Sequence, residues 1–419
     1  MLLRFCFSNF RSFRDEQELS LIATAKAGPG DFLLTSPGIK ESVLPVCAIY
    51  GANASGKSNV LKALKFVEEA VLESHRLWEP GGGVPLQAFK GASPEQGAEF
   101  VVDFVLAESR YQFGFRATRL EIVEEWLYAF PNGRRQTLYS RGPVEIAFGR
   151  NLTGDNKTIA SLMRKNSLFL SVAAQNNHEA LGPVYDWFRN SVHVVFARSK
   201  YEQHYTTQLC SDDARLAEIL ELMKVADIGV ESLSVEKAGN PYQIALEALP
   251  AGVSEKMKAE FVVPLGTLRL HHRLQNMHVT FNLEEESAGT VAYFSLLGPI
   301  LRALQEGSVL AIDEIDASLH PTLAAFIVKL FQDPRGNRKG AQLIFSTHDT
   351  NLLSEGVLRK DEVWFAEKDR KGVSRLFPLT DFRLRTGEDF QKRYLTGRFG
   401  GVPFIASERL FETLNEESK

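Results

Sequence analysis

Cysteine is scarce: Cys6, Cys47 and Cys210 are the only three in 419 residues, far apart and without CxxC spacing. That excludes a disulfide scaffold and a cysteine-ligated zinc module, and a reducing, cytoplasmic setting fits. Long hydrophobic runs are also missing. No window approaches the run of about 20 apolar residues that a membrane span needs. Arg4, Arg11 and Arg14 interrupt the apolar opening, so a signal peptide is not expected. Charge of one sign is absent too: 48 Lys and Arg against 52 Asp and Glu leave a net charge of −4, a balance that does not favour a surface coated for nucleic acid. What is present is ordinary for a folded protein, with 44% hydrophobic and 24% charged residues. A chain of this length exceeds what one core serves and implies subdomains or an insertion.

Hydrophobic spacing divides the chain. An alternating opening predicts a strand that turns at Asn9, and a second strand covers Gln17 to Ala23. The wholly apolar run from Leu44 to Tyr50 reads as a buried parallel strand. Helical periodicity then runs from Lys57 to Trp78. Period-two segments between Glu99 and Ile146, parted by turns such as Pro131-Asn132-Gly133, predict an antiparallel meander. The stretch 151–283 mixes a helix at Asp213 to Met223 with strands at Val192 to Ala197 and His278 to Leu283, and reads as an insertion or arm. Beyond it, helices at Ser287 to Leu304 and Pro321 to Phe331 alternate with strands at Ser308 to Ile312 and Gln342 to Ser346, which implies a parallel sheet. The expected division is 1–150, 151–283, 284–380 and a terminal segment 381–419.

The chemistry concentrates in three places. Gly51-Ala-Asn53-Ala-Ser55-Gly56-Lys57-Ser58 fits the phosphate-binding P-loop, with a strand before it and a helix after it. Glycines let the backbone turn and aim N–H groups at phosphate oxygens, and the helix N-terminus adds a favourable dipole. Lys57 would neutralise the β- and γ-phosphates of ATP, and the Ser58 hydroxyl suits Mg²⁺. At average usage the pattern arises by chance in a chain this long about one or two times in a hundred.

Val309 to Asp313-Glu314 is an apolar strand ending in two carboxylates, a Walker B arrangement. Asp313 would serve the Mg²⁺ shell, and Glu314 would orient or deprotonate the attacking water. Leu343 to Thr347-His348 is a second buried strand, ending in a histidine that could donate to the γ-phosphate. Upstream, Ser287-Ala-Gly289-Thr290 opens a helix. Its hydroxyl, backbone N–H groups and dipole suit a phosphate, and the same residues also read as an ordinary helix cap.

These elements, in this order, resemble the ABC ATPase superfamily. Asp313 to Pro321 is similar to Walker B running into the D-loop, and Thr347-His348-Asp349 to the switch-histidine loop. The finer resemblance is to stand-alone ABC-type AAA family ATPases of the SMC, RecF and OLD branch, above all the RloA-like proteins and the AriA component of PARIS. It rests on NFRSF (Asn9 to Phe13), GxNxSGKSN (Gly51 to Asn59), the Glu286 to Thr290 segment, DEIDxSLHP, STHD and YLTGRFGGVP (Tyr394 to Pro403). The resemblance implies an α/β, ABC-type P-loop head with a mostly parallel core sheet, an N-terminal antiparallel β subdomain and a central mixed or helical insertion. It also implies ATP contacts at Arg11 and Asn59, a degenerate signature segment whose Ser287 and Gly289 meet the ATP of a partner subunit, a homodimer or higher homo-oligomer, anti-phage defence, a TOPRIM-type nuclease or toxin effector and a phage-derived trigger protein. A RecF- or SMC-like DNA-repair ATPase is the alternative.

Weaker features stay open. His271, His272 and His278 lack the spacing of metal ligands, since adjacent strand residues face opposite ways. Arg383, Arg385, Lys392, Arg393 and Arg398, interleaved with Phe382, Phe390, Tyr394 and Phe399, suit nucleic acid, a docked partner, or a solvated face with aromatics packed inward.

Overall fold

A computed structural model describes residues 1–401 apart from 26, 29, 94, 197–199, 238–265, 276, 355 and 384–388. The opening strand β1 (Leu2–Ser8) pairs with β2 (Gln17–Ser20), and β3 (Val46–Tyr50) leaves for another sheet. The expected meander follows as β4 (Ala98–Leu106), β5 (Ser109–Ala117), β6 (Ile122–Phe130), β7 (Gln136–Arg141) and β8 (Ile146–Phe148). Because β1 pairs with β4, the two opening strands join the meander in one antiparallel sheet ordered β2-β1-β4-β5-β6-β7-β8.

The core sheet is ordered β16-β15-β3-β14-β13-β9, where β9 is Val192–Phe196, β13 Val309–Asp313, β14 Gln342–Ser346, β15 Val363–Lys368 and β16 Ser374–Pro378. All neighbours are parallel except β15 and β16. β3, β13 and β14 are buried at every position, the signature of a parallel sheet covered on both faces. Cys47 and Ile49 feed the apolar cluster shared with the antiparallel sheet, while Val46, Ala48 and Tyr50 feed a second cluster on the opposite face. β9 lies inside the 151–283 stretch read as an insertion, yet forms the edge of the core sheet beside β13. A short edge strand with two half-buried positions carries too weak a pattern to reveal that membership.

Between the two sheets lie α1 (Lys57–Glu73), α2 (Asn156–Ser161), α3 (Phe169–Gln175) and α4 (Gly182–Ser191), whose apolar residues share the first cluster. The helix expected to reach Trp78 stops at Glu73. Arg164 donates from Nη2 to the carbonyls of Ser74 and His75, both at 2.8 Å, and so satisfies groups that a longer helix would have used. Buried Gln342 ties the layers together, accepting from the Leu2 amide at 2.7 Å and donating to the Leu2 carbonyl at 2.9 Å.

The other face of the core sheet carries α5 (Lys200–Leu209), α6 (Asp213–Val225), α7 (Ala288–Glu306) and α8 (Pro321–Gln332). A small antiparallel sheet of β10 (Val230–Lys237), β11 (Gly266–Leu274) and β12 (Met277–Asn282) adjoins them. The chain then returns as the short helix α9 (Phe390–Leu395). No described helix is long and apolar enough to cross a membrane.

Helix α7 contains Pro299, which lacks the N–H that would bond the Ser295 carbonyl. The Thr206 hydroxyl of α5 donates to that carbonyl at 3.1 Å and accepts from the Gly298 amide at 3.2 Å. One threonine therefore repairs the proline gap and locks α5 to α7. Thr206→Val keeps the shape and removes both bonds, and urea unfolding is expected to show a loss of about 1–3 kcal/mol, with Thr206→Ser retaining most of the wild-type midpoint.

Candidate nucleotide site

The carboxyl ends of β3, β14 and β13 emerge side by side, the place where open parallel sheets bind ligands. β3 delivers the loop. Gly51 (φ 155°) and Gly56 (φ 118°) take backbone conformations that favour glycine. A Cβ on Gly51 would stand 2.2 Å from the Ala366 carbonyl oxygen, so the loop fits only because that atom is absent. The Lys57 ammonium is buried and donates to the carbonyls of Gly51 (2.8 Å) and Ala52 (3.1 Å). Burial lowers its pKa to about 8, against the opposing pull of Glu314, Asp313 and Asp316. The Ser55 hydroxyl is buried without a protein partner. A loop with an orphaned hydroxyl and an ammonium held only by its own carbonyls fits a phosphate, which would satisfy both.

Across the sheet edge, the Ser346 hydroxyl that ends β14 donates to Asp313 Oδ1 at 2.6 Å and accepts from the Glu314 amide at 2.8 Å. Asp313 is buried, whereas Glu314 is exposed and sits at φ 54°, a left-handed turn that swings it off the strand. Such a conformation is costly for a residue with a Cβ and concentrates at functional positions. The His348 amide donates to both Asp316 carboxylate oxygens, at 3.3 and 3.2 Å. Desolvation, followed by the charge of Lys57, holds the imidazole below its ordinary pKa, which favours its neutral form. Asp316 was not singled out by sequence reasoning. It stands in the motif itself, three residues past Asp313, but only the fold shows which loop it supports.

Ser287 caps α7 by accepting from the Thr290 amide at 3.1 Å. With Gly289 and Thr290 it lines an open cleft of about 380 Å³, completed by Ile228, Ser318, Leu319, His320 and Leu323. A Cβ on Gly289 would lie 2.9 Å from the Ser318 carbonyl oxygen, so this helix start is packed against the loop after Walker B. The lining contains none of Gly51 to Asn59. The structure thus brings Lys57, Asp313, Glu314 and His348 to one sheet edge and leaves Ser287 and Gly289 in a separate cleft. His272 on β11 bonds the Glu286 carboxylate at 2.7 Å, immediately before the cap. His271 bonds Ser234 (2.8 Å) and Thr280 (2.9 Å), and His278 faces Glu231.

Within the NFRSF turn, Arg11 donates its amide to the Gln87 carbonyl, its Nε is buried without a partner, and its guanidinium lies over the Phe10 ring. Contact with the loop comes instead from Ser12, whose hydroxyl accepts from Asn59 Nδ2 at 2.9 Å. Ser374 on β16 joins them, donating to the Ser55 carbonyl at 2.6 Å with its oxygen 2.8 Å from that of Ser12. Asn53 is exposed and Ser58 half-buried. In the terminal segment Tyr394 and Phe399 are buried and stack on Phe365, the inward-packed alternative for these aromatics. Arg385, Pro403 and most of 381–419 lie outside the described residues.

A family model described as "AAA domain, putative AbiEii toxin, Type IV TA system" matches residues 46–354. No curated protein matches the chain. Among solved structures, the crystal structure of an SmcHead bound to the C-winged helix domain of ScpA is similar at 16% identity, covering 90% of this chain and 96% of that one with a TM-score of 0.40. The SMC head domain from Thermotoga maritima is similar at 14% identity, covering 90% and 98% with a TM-score of 0.40.

Because phosphate binds the ammonium form, Lys57 with a pKa of about 8 makes nucleotide affinity fall as pH rises through that value. The expected slope approaches a tenfold loss per pH unit, with a proton taken up on binding above about pH 8. Titration calorimetry in two buffers of different ionisation enthalpy reads the proton directly. Affinity that stays flat to about pH 9.5 would contradict the assignment.

Proposed function

The chain belongs to the AAA-domain family whose model covers residues 46–354, and we propose from this membership and the site that it is an ATP-hydrolysing switch whose complete active site forms between two copies. The observation that carries the proposal is the separation of the two halves. The loop, the carboxylates and His348 share one sheet edge, while Ser287 and Gly289 line a cleft that holds none of the loop.

In this reading Lys57 and the loop amides hold the β- and γ-phosphates. Mg²⁺, held by Ser58 and Asp313, would neutralise charge on the phosphate oxygens. Ser346 fixes Asp313 and the Glu314 backbone through one hydroxyl, so the magnesium ligand and the general base keep a set relation. Glu314 accepts the proton of the attacking water, and the neutral imidazole of His348 donates to the γ-phosphate. The helix start at Ser287 would close the site in trans with its hydroxyl, its amides and the positive end of the α7 dipole.

The finer reading extends the same proposal. The NFRSF, DEIDxSLHP, STHD and YLTGRFGG segments support an RloA-like or AriA-like switch in anti-phage defence, answering a phage-derived trigger and controlling a TOPRIM-type nuclease. A docked effector would use the exposed Lys392 and Arg398, because the aromatics beside them are committed to the interior.

Complementation tests the composite site. Lys57→Ala and Ser287→Arg are each expected to be inactive alone. An equal mixture should recover about a quarter of wild-type turnover, because half of the dimers pair an intact loop with an intact Ser287 at one of their two sites. If both variants are folded and inactive and their mixture recovers nothing, Ser287 does not act in trans and the composite site is overturned. Separately, Glu314→Gln is expected to bind ATP, stop turnover and accumulate as a dimer in size-exclusion chromatography, and turnover at the wild-type rate would assign the base elsewhere.

A further inference from the structure

The aromatic-rich segment near the end of the described chain is built into the nucleotide site. Its helix α9 begins at Phe390, and Gln391 in the first turn reaches the loop that follows His348. Gln391 Nε2 donates to the Thr350 hydroxyl at 3.2 Å, and its Oε1 accepts from the Ser354 hydroxyl at 3.5 Å. One helical turn further on, Tyr394 faces the phosphate loop. Its ring stacks on Phe365 (5.5 Å between centroids) and meets Tyr50, the residue before Gly51, edge-on at 5.7 Å.

The chain then folds back over that loop. The Tyr394 hydroxyl donates to the Gly401 carbonyl at 3.2 Å, and Gly401 donates its amide to Glu367 Oε1 at 3.4 Å. Gly401 sits at φ 67°, and a Cβ there would lie 3.5 Å from the Gly51 Cα. The backbone of the terminal turn is therefore in packing contact with the first glycine of the P-loop, and the Gly51 backbone amide is a second polar neighbour of the Tyr394 hydroxyl. Tyr50 closes the circuit, donating to the Asp349 carbonyl at 3.1 Å in the loop of His348.

Resting on the ATPase reading above, we propose that α9 is a brace joining the phosphate loop to the loop of His348, with Tyr394 and Gln391 as positioning residues for ATP binding and hydrolysis. Tyr394 holds the start of the P-loop through Tyr50 and the Gly401 turn. Gln391 holds Thr350 and Ser354, and thereby the backbone that presents His348. Neither side chain touches the reacting atoms. Both act on groups that must keep their spacing while the γ-phosphate is bound and cleaved, and small misplacements of such groups cost rate steeply. The same placement gives the terminal segment a direct mechanical link to nucleotide state.

Two variants separate the roles. Tyr394→Phe keeps the ring stack and loses the hydroxyl, and is expected to weaken ATP and ADP binding alike by about 3–10-fold, since both nucleotides use the P-loop. Gln391→Ala is expected to leave ADP affinity within about twofold and slow turnover at saturating ATP by about 3–10-fold. A fluorescent-nucleotide titration with steady-state kinetics reads this split, and a melting curve monitors folding. Unchanged affinities in Tyr394→Phe overturn the brace, as does a parallel decline of affinity, turnover and melting temperature in both variants, which marks a simple structural anchor. A wild-type chain that binds no nucleotide overturns the ATPase reading and the brace with it. If the wild type binds ATP without turning it over, only the hydrolysis reading falls, and the Tyr394→Phe affinities still decide the brace.

Discussion

Parallel pairing of β3 with β14 and of β14 with β13 places three loop-bearing strand ends at one edge, separated by the spacing of neighbouring strands, roughly 4.8 Å. From those ends come Gly51 and Lys57, His348, and the Asp313-Glu314 pair. An antiparallel arrangement would send alternate loops to opposite edges and disperse the site. The strands hold this order because both of their faces are buried, so a slip in register would disturb two apolar clusters at once.

The same edge concentrates opposing charge. Lys57 lies within the influence of Glu314, Asp313 and Asp316, and its ammonium is desolvated. The acids oppose the burial, and the Gly51 and Ala52 carbonyls supply its hydrogen bonds. Ser346 has a parallel role for the acids: one hydroxyl engages Asp313 and the Glu314 backbone. The costly left-handed turn at Glu314 is thereby tied to a buried strand end, and this is how the carboxylate stays exposed beside a buried partner.

Around this edge the structure is layered for transmission. Gln342 joins the antiparallel sheet to β14, the Ser12, Asn59 and Ser374 cluster ties the opening turn to the P-loop, and Thr206 locks the helical layer to α7. At the start of α7, His272 holds Glu286 beside Ser287. The small β10–β12 sheet is thus bonded to the helix start that the composite-site reading assigns to a second copy. Sequence does not show this link, because one histidine and one glutamate separated along the chain carry no spacing signal.

Local pattern was enough to place the loop, both carboxylates and His348 at the ends of buried strands, because each placement rests on neighbours in sequence: an apolar run, a turn and a charged end. The antiparallel meander was legible for the same reason. Contacts between residues far apart in the chain were decided only by tertiary packing. β9 gives no sign in its sequence that it borders β13, and Arg164 ends α1 from a distant loop. The arginine and aromatic stripe of the terminal segment left docking and packing open, because composition does not fix which way a side chain faces. Packing resolved the aromatics: Phe365 and Tyr50 present an apolar surface at the site edge, Tyr394 and Phe399 cover it, and Gly401 comes to rest on Gly51.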